Sequence, residues 1–286
     1  MVRRRVLTLL ISAFSKDGRG GNKAGVVLDS RGLMPAKMMA IAKDLGYSET
    51  AFLMESDVAD FKVRYFTPTE EVPLCGHATI ATFSILNSLG RLSKDAYTIE
   101  TKVGSLNIRI EKDGMIFMEQ NRPTYFGTLK PDFFAGCLEA GFIDTALPIQ
   151  IVSTGLKDIM LPVDSREHLE RLNPNFTNMV NLCCDQDVVG IHAFALTGGA
   201  ETTAICRNFA PRYGINEESA TGTSSCALAC YLFQHYKQQS QYVFEQGFNL
   251  GSVSRLVVNI THQGSSIDTV HVGGYGHLVC KKMLLI

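Results

Sequence analysis

The chain lacks tryptophan, long uncharged apolar runs and an excess of charge of either sign. Lys and Arg number 27 against 28 Asp and Glu, so the net charge of −1 gives no electrostatic reason to expect nucleic acid as a partner. No apolar run approaches the roughly 18 residues that a membrane span needs. We therefore expect no nucleic-acid or membrane partner, but a small molecule or a second copy of the chain.

The eight cysteines and seven histidines do not form a metal-binding pattern. No Cys-x-x-Cys pair occurs and the histidines are scattered, so the sequence predicts no metal, and reduced thiols in a cytoplasmic protein. Three arginines before a short apolar run at the start superficially resemble a signal peptide. No clear small-x-small cleavage site follows, and a first β-strand is the preferred interpretation.

Two stretches of the chain repeat one arrangement. At 286 residues the chain has room for two domains. In the stretch Phe66–Gly90, Phe-Thr-Pro is followed by an acidic pair and then by a Gly that opens an apolar helix; Asn208–Lys237 repeats this with Phe-Ala-Pro. The sequence predicts a duplicated α+β protein with an N-terminal lobe at 1–125, onto which the C-terminal strand pairs back, and a C-terminal lobe at 126–286.

Each half is predicted to consist of strands wrapped around one central helix. A further helix is predicted at 34–45, and residues 121–146 are interpreted as a linker with a short helix around 133–140. Two separate strands are expected at 269–272 and 277–285, and no strand is predicted between the second repeated helix and residue 255.

The two repeated helix starts predict anion sites. The first backbone N–H groups of a helix have no intrahelical partner, and the macrodipole is positive there, so a carboxylate can bind. Gly76 lets a ligand approach the backbone, and His77 places an imidazole beside it. Similar halves of this kind predict a cleft into which both helices point.

Four stretches resemble the PhzF (phenazine biosynthesis-like) family, and the resemblance covers nearly the whole chain. They are Gly21–Val27, Leu45–Phe52, Arg64–Thr79 with its PLCGHAT motif, and Ala220–Thr223. The resemblance implies the diaminopimelate epimerase fold, in which two β-barrel-like lobes each surround a helix and the active site lies between them. It also implies a homodimer and an isomerase that uses neither cofactor nor metal, as when characterised members isomerise a dihydro-hydroxyanthranilate.

The same resemblance assigns roles to individual residues. Glu49 becomes the proton-shuttling acid/base, His77 its neighbour, and Glu218 the second catalytic carboxylate. The substrate carboxylate is expected on the helix starts, held by Gly76 and Thr223. The complete set of predicted binding residues is Asn22, Cys75, Gly76, Thr221, Gly222 and Thr223.

Departures from the family pattern keep alternatives open. Glu218-Ser219 stands where members usually have Asp-Pro, Thr223 where they have Ser, and Lys23 where they have Pro. One alternative is therefore a carboxylate-binding or regulatory protein without turnover. A two-thiol amino-acid racemase is disfavoured, because Thr221 stands where the second cysteine would be and a hydroxyl is too weak an acid to replace a thiol.

Overall fold

A computed structural model describes residues 4–199 and 201–286. The strands of this part of the chain are β1 (Arg5–Ser15), β2 (Asn22–Val27), β3 (Thr50–Met54), β4 (Phe61–Phe66), β5 (Glu71–Val72), β6 (Ala96–Thr101), β7 (Gly104–Ile110), β8 (Ile116–Gln120), β9 (Thr124–Leu129), β10 (Ile149–Ser153), β11 (Lys157–Pro162), β12 (Gly190–Leu196), β13 (Ala204–Ala210), β14 (Ile215–Glu218), β15 (Gln241–Gln246), β16 (Ser254–Gln263) and β17 (Ser266–Leu285). The helices are α1 (Pro35–Leu45), α2 (Gly76–Ser88), α3 (Arg166–Arg171), α4 (Phe176–Asp185) and α5 (Gly222–His235).

The chain divides into two compact units. The first contains Met1–Glu119 together with Gly273–Ile286, and the second contains Gln120–Val272. In the first unit, the end of the chain pairs antiparallel with β1, from Arg5 opposite Leu285 to Ser15 opposite Tyr275. The last strand therefore closes the unit in which the chain begins.

The two units have the same order of strand pairings. In the first, β1 pairs antiparallel with β2, β2 runs parallel to β3, β3 and β5 flank β4 antiparallel, and β4 runs parallel to β6. In the second, β10 to β15 repeat this series in the same sequence of directions. The parallel crossovers carry α1 and α2 in one unit, and α3 with α4, then α5, in the other.

One helix in each unit is buried nearly all round. Residues 77–86 of α2 and residues 224–233 of α5 are buried without interruption. A helix that is apolar on every side must be surrounded by other elements, and strands surround both of these. The predicted α+β fold, with two similar lobes that each wrap a β-barrel-like sheet around a central helix, is confirmed.

Three local predictions were wrong. Residues 121–146 contain β9 and two short 3₁₀ turns at Pro131–Phe134 and Ala140–Phe142, instead of a linker with one helix. β15 was missed. β17 is one strand of 20 residues, where two strands were expected.

Within residues 4–199 and 201–286, no helix has both the length and the hydropathy required to cross a bilayer.

Candidate active site

Glu49 lies in the short connection between α1 and β3. Gly46 ends α1 in the left-handed conformation, at φ 73°, which favours glycine. The backbone of Glu49 is then fixed by β2, because the Gly25 N–H donates to the Glu49 carbonyl at 3.1 Å. A Cβ at position 25 would lie 2.6 Å from Thr50 Oγ1, so only glycine permits this close approach of β2 to the start of β3.

The turn after β4 delivers the chain to the start of α2. The Thr67 N–H donates to the Glu70 carbonyl at 2.8 Å, which closes the turn. Arg64 then clamps Glu71 with two hydrogen bonds of 2.7 and 2.8 Å. A bidentate guanidinium–carboxylate pair fixes orientation as well as distance, so the start of β5 is held in one register.

Cys75 is the N-cap residue of α2, and its carbonyl accepts two hydrogen bonds. Thr79 donates to it from its backbone N–H at 3.1 Å and from its hydroxyl at 2.7 Å. The Tyr65 hydroxyl hydrogen-bonds the same threonine at 2.6 Å. The side chain of Cys75 makes no capping hydrogen bond to the helix. The backbone N–H groups of the first turn, which begins at Gly76, are therefore not covered by an N-cap side chain.

Glu49, Cys75 and His77 come together at this helix start. His77 Nε2 lies 3.2 Å from Glu49 Oε2, and Cys75 Sγ lies 3.5 Å from His77 Nδ1 and 3.8 Å from Nε2. The side chain of His77 is 8 % exposed and that of Glu49 is 19 % exposed.

The three groups influence one another's protonation. Burial acts to lower the pKa of His77, but the charges and hydrogen bonds of Cys75 and Glu49 outweigh it and hold the pKa well above the usual value. Burial raises the pKa of the Cys75 thiol, and the charge of His77 opposes this rise. For Glu49, burial acts to raise the pKa, but the hydrogen bond and charge of His77 lower it overall. The pair is thus a carboxylate beside an imidazolium.

These three side chains also bring three possible metal-ligand atoms close together. One ligand atom from each of Glu49, Cys75 and His77 lies within 4.8 Å of the others. Carboxylate oxygen, thiolate sulfur and imidazole nitrogen are all donors that zinc accepts. The family resemblance predicted these three residues in one site, although Glu49 lies far from the Cys-x-His segment in the sequence.

In the second unit, Glu218 lies at the end of β14, just before α5. The Thr221 hydroxyl donates to Glu218 Oε2 at 2.6 Å, and Gln246 Nε2 donates to the Glu218 carbonyl at 2.7 Å. Gln246 also contacts Thr221, the N-cap residue of α5, at 3.1 Å. Gly222 and Thr223 form the first turn of the helix. Gln246 was not predicted as a site residue, because it lies on the missed strand β15.

The remaining predicted binding residue, Asn22, is the first residue of β2. Its strand runs on to Gly25, the residue that fixes Glu49. The structure therefore brings together Glu49, Cys75 and His77 in one unit, and Glu218 with Thr221 in the other.

A buried polar network under α5 was not predicted. Ser224 Oγ donates to Asp158 Oδ2 at 2.6 Å, and Asn208 Nδ2 contacts both Ser224 Oγ at 3.2 Å and His192 Nδ1 at 3.1 Å. Asp158 is 2 % exposed, and burial raises its pKa to about 6; burial lowers the pKa of His192 to about 3. The one available signal was a carboxylate next to the apolar residues 159–162 of β11.

The two units differ at the position that Glu49 occupies. β3 and β12 correspond, since each pairs antiparallel with the strand that leads into the repeated Phe-x-Pro turn, and Thr50 and Ile191 lie opposite the phenylalanine of that turn. In that register the residue matching Glu49 is Gly190. A Cβ at Gly190 would collide with the carbonyl of Phe209. The second unit therefore has no matching carboxylate.

The duplicated order of strands around two buried helices is that of the diaminopimelate epimerase-like class of proteins. The family model described as PhzC-PhzF, phenazine biosynthesis-like protein, matches residues 11–282, and the chain belongs to this family. Like its named relatives, it is an isomerase.

Individual relatives and structures match along nearly their whole length. The chain is 34 % identical over 277 residues to the uncharacterized isomerase YfhB of Bacillus subtilis, with 93 % of this chain and 94 % of the relative covered. It is 28 % identical to trans-2,3-dihydro-3-hydroxyanthranilate isomerase of Pseudomonas aeruginosa, over 94 % and 95 % of the two chains.

Among solved structures, a PhzF-family phenazine biosynthesis protein of Bacillus anthracis matches with a TM-score of 0.90 and 30 % identity, covering 99 % of this chain and 100 % of the other. A hydroxyproline epimerase of Agrobacterium vitis shares the fold at a TM-score of 0.61 and 12 % identity, covering 100 % and 92 %.

Proposed function

We propose that the protein is a cofactor-independent isomerase that moves a proton between carbons of a small carboxylic acid, with Glu49 as the general acid/base. The observation that carries this proposal is the Glu49–His77 pair. A carboxylate that is 19 % exposed lies 3.2 Å from an imidazole at a helix start, in a family whose named members are isomerases. A positioned carboxylate of this kind can accept a proton from carbon and return it.

The reaction requires no net oxidation or reduction. Glu49 takes a proton from one carbon, the electron pair of the broken C–H bond shifts into the conjugated system of the substrate, and the protonated Glu49 returns a proton to another carbon. His77, as an imidazolium beside the carboxylate, keeps Glu49 ionised before the transfer. It also stabilises negative charge that develops on the substrate.

The substrate carboxylate is proposed to bind at the helix starts. Cys75 does not cap α2 and Thr221 does not cap α5 through its side chain, so N–H donors of each first turn can meet an anion. The residues proposed to bind substrate are Asn22, Cys75, Gly76, Thr221, Gly222 and Thr223. Glu218 is proposed as the second catalytic carboxylate.

One observation favours the alternative of a carboxylate-binding protein without turnover. Glu218 Oε2 accepts a 2.6 Å hydrogen bond from Thr221, which gives this carboxylate a structural partner at the helix start. The two-thiol racemase remains disfavoured, because Cys75 and Thr221 hold the same N-cap position in the two units and only one of them is a thiol.

Proton NMR in deuterated water tests the proposal. The protein is incubated with a panel of small cyclic and amino carboxylic acids that includes trans-2,3-dihydro-3-hydroxyanthranilate. We expect a carbon-bound proton signal to disappear with the wild type, and the rate to fall by about 10²- to 10⁴-fold in Glu49→Gln. Glu55→Gln, a change of an exposed carboxylate in the same unit, serves as the matched control and should retain the rate.

The other outcomes are equally informative. Equal exchange in the wild type and in Glu49→Gln would remove Glu49 from the acid/base role. Ligand line broadening without exchange in either protein would favour the binding protein instead.

A further inference from the structure

Asp158 is buried beside the first turn of α5. It is 2 % exposed, and its Oδ2 accepts a 2.6 Å hydrogen bond from the Ser224 hydroxyl. Glu218 accepts a bond of the same length from the hydroxyl of Thr221, the N-cap residue. Residues 222–223, which are proposed to bind the substrate carboxylate, therefore lie between two residues that are each hydrogen-bonded to a carboxyl group.

The first unit forms the same arrangement without this polar network. In the register of the two units, the residues that match Asp158, His192 and Ser224 are Ala24, Ala51 and Ala78. All three alanines are fully buried. Burying a carboxyl group costs free energy even when it is hydrogen-bonded, so the packing of strands on a central helix does not explain why the second unit has one.

The charge of Asp158 acts on any anion at the start of α5. An ionised carboxyl group repels a second carboxylate that binds to the neighbouring backbone N–H groups, whereas a neutral one does not. Because Asp158 is buried, salt screens this repulsion only weakly. The hydrogen bond to Ser224 ties the carboxyl group to the turn, so the two charges cannot simply move apart.

We propose that Asp158 is a positioning residue of the proposed carboxylate site, which holds the first turn of α5 through Ser224 and must be neutral for an anion to bind there. The inference rests on the proposed function, because it takes residues 222–223 as the place of the substrate carboxylate. When an anion binds to a molecule in which Asp158 is ionised, the carboxyl group takes up one proton from solvent.

Asp158 titrates in a range where this control can be measured. Burial raises its pKa to about 6; the charge of Glu218 adds to this and the Ser224 hydrogen bond opposes it. The other titratable groups around it, His192 from β12 and Cys183 from α4, stay neutral between pH 5 and 7. Burial lowers the pKa of His192 to about 3, and burial together with the charge of Asp158 raises that of Cys183 to about 12.

The expected effect follows from the neutral fraction of Asp158. With a pKa of about 6, roughly nine-tenths of the molecules have a neutral Asp158 at pH 5 and about one-tenth at pH 7. Apparent affinity is reduced by the fraction of molecules that can bind, so the affinity for a carboxylate at α5 should fall about tenfold between these pH values.

Titration of ¹⁵N-labelled protein with benzoate tests the inference without any turnover. The backbone N–H signals of Gly222 and Thr223 report binding at α5, separately from that of Gly76 at α2. In the wild type we expect the dissociation constant at α5 to rise about tenfold from pH 5 to pH 7. In Asp158→Asn it should change about twofold or less. Asp187→Asn, which changes an exposed carboxylate, is the matched control and should behave as the wild type.

Ser224→Ala separates this role from a purely structural one. The lost hydrogen bond favours the ionised carboxyl group, so Asp158 should stay neutral to a higher pH and the fall in affinity should move to a higher pH with it. A residue that only supports the turn would weaken binding equally at every pH. That result would overturn the inference, as would the same tenfold fall in Asp158→Asn as in the wild type.

Failure of the proposed function gives a different result. If benzoate leaves the Gly222 and Thr223 signals of the folded wild type unmoved even at pH 5, the carboxylate site at α5 is overturned, and this inference with it. If the signals move with one pH dependence in the wild type and all variants, only the role of Asp158 is overturned. The same spectra show whether each variant is folded.

Discussion

At the scale of single residues, Asp158 makes a pH-dependent contribution to stability. Burial raises its pKa to about 6 against an ordinary 3.8; the nearby charge of Glu218 adds to this, and the Ser224 hydrogen bond opposes it. Because the folded-state pKa exceeds the unfolded value, the fold favours the neutral carboxyl. Stability from this group is therefore fully present below about pH 4 and is lost as the pH rises to about 6, by ~3 kcal/mol.

Asp158→Asn should remove this dependence. Urea unfolding at a series of pH values is expected to show a flatter profile between about pH 4 and 6 for the variant than for the wild type. Asp187→Asn, which changes an exposed carboxylate, is the control and should retain the slope of the wild type. An unchanged slope in Asp158→Asn would contradict the assignment of this titration to Asp158.

A second prediction at the residue scale concerns the Arg207–Glu217 ion pair. The two side chains are 7 % and 10 % exposed, and Arg207 also donates to the carbonyls of Leu169 and Leu172 at 3.1 and 2.7 Å. Removing one partner of a buried pair leaves a charge uncompensated. Glu217→Gln should therefore cost about 3–5 kcal/mol in the free energy of unfolding.

The exposed Arg166–Glu170 pair, at 59 % and 42 %, supplies the comparison. There, Glu170→Gln should cost less than about 0.5 kcal/mol. Urea denaturation of both variants provides the two values, and similar losses would contradict the burial argument.

At the scale of elements, a substitution at the start of α2 distinguishes a structural role of Gly76 from a role in ligand binding. A Cβ at Gly76 would meet only Met118 Cε, at 3.4 Å, so the fold itself tolerates alanine there. Gly76→Ala should therefore leave the melting temperature unchanged or slightly higher, since alanine is the better helix former. If the proposed carboxylate site is correct, the methyl group obstructs the approach of the ligand, and proton exchange or ligand binding should fall at least tenfold.

Gly127→Ala is the matched control, because a Cβ there meets no atom within 4 Å. It should change neither stability nor binding. Differential scanning calorimetry together with NMR line broadening of the bound acid measures both quantities. A loss of stability without a loss of binding in Gly76→Ala would assign this glycine to packing.

The elements also show what could be predicted from the sequence and what could not. The repeated turns, the two helices that follow them and the helix predicted at 34–45 depend on neighbours close in the chain, so local patterns were sufficient. β17 was split because Gly273 and Gly276 resemble strand breakers. Each instead allows a close approach, to Phe117 and to Ser84 respectively, which only the folded chain reveals.

In the candidate site, the resemblance supplied Glu49, His77 and Glu218 as residue types in matching motifs. The proximity of Cys75 to Glu49 depends on how β2 holds the loop before β3. The Asp158 network depends on which face of β11 packs on α5. Both contacts depend on tertiary structure. The sequence around Asp158 does not specify which residues its carboxylate will contact.

At the scale of the whole molecule, the first unit needs the C-terminal part of β17 to complete its sheet. β17 supplies the partner of β1 from Arg5 to Ser15, and Gly276 lies against Ser84 of α2. A chain that ends at Val272 should therefore lose hydrogen-exchange protection in β1 and α2. Strands β10 to β15 pair among themselves and should retain theirs. Equal loss of protection in both regions would show that the two units unfold as one.

Gly190 limits how this duplicated architecture can diversify. The same fold plan occurs twice, yet a side chain in place of Gly190 would collide with the Phe209 carbonyl, so a second glutamate cannot arise at the counterpart of Glu49 by substitution alone. Similar backbones in the two units therefore do not imply that both units carry the same functional side chains. A matched pair of glutamates at these two positions is therefore excluded by one peptide carbonyl, and any acid/base group of the second unit must lie at another position.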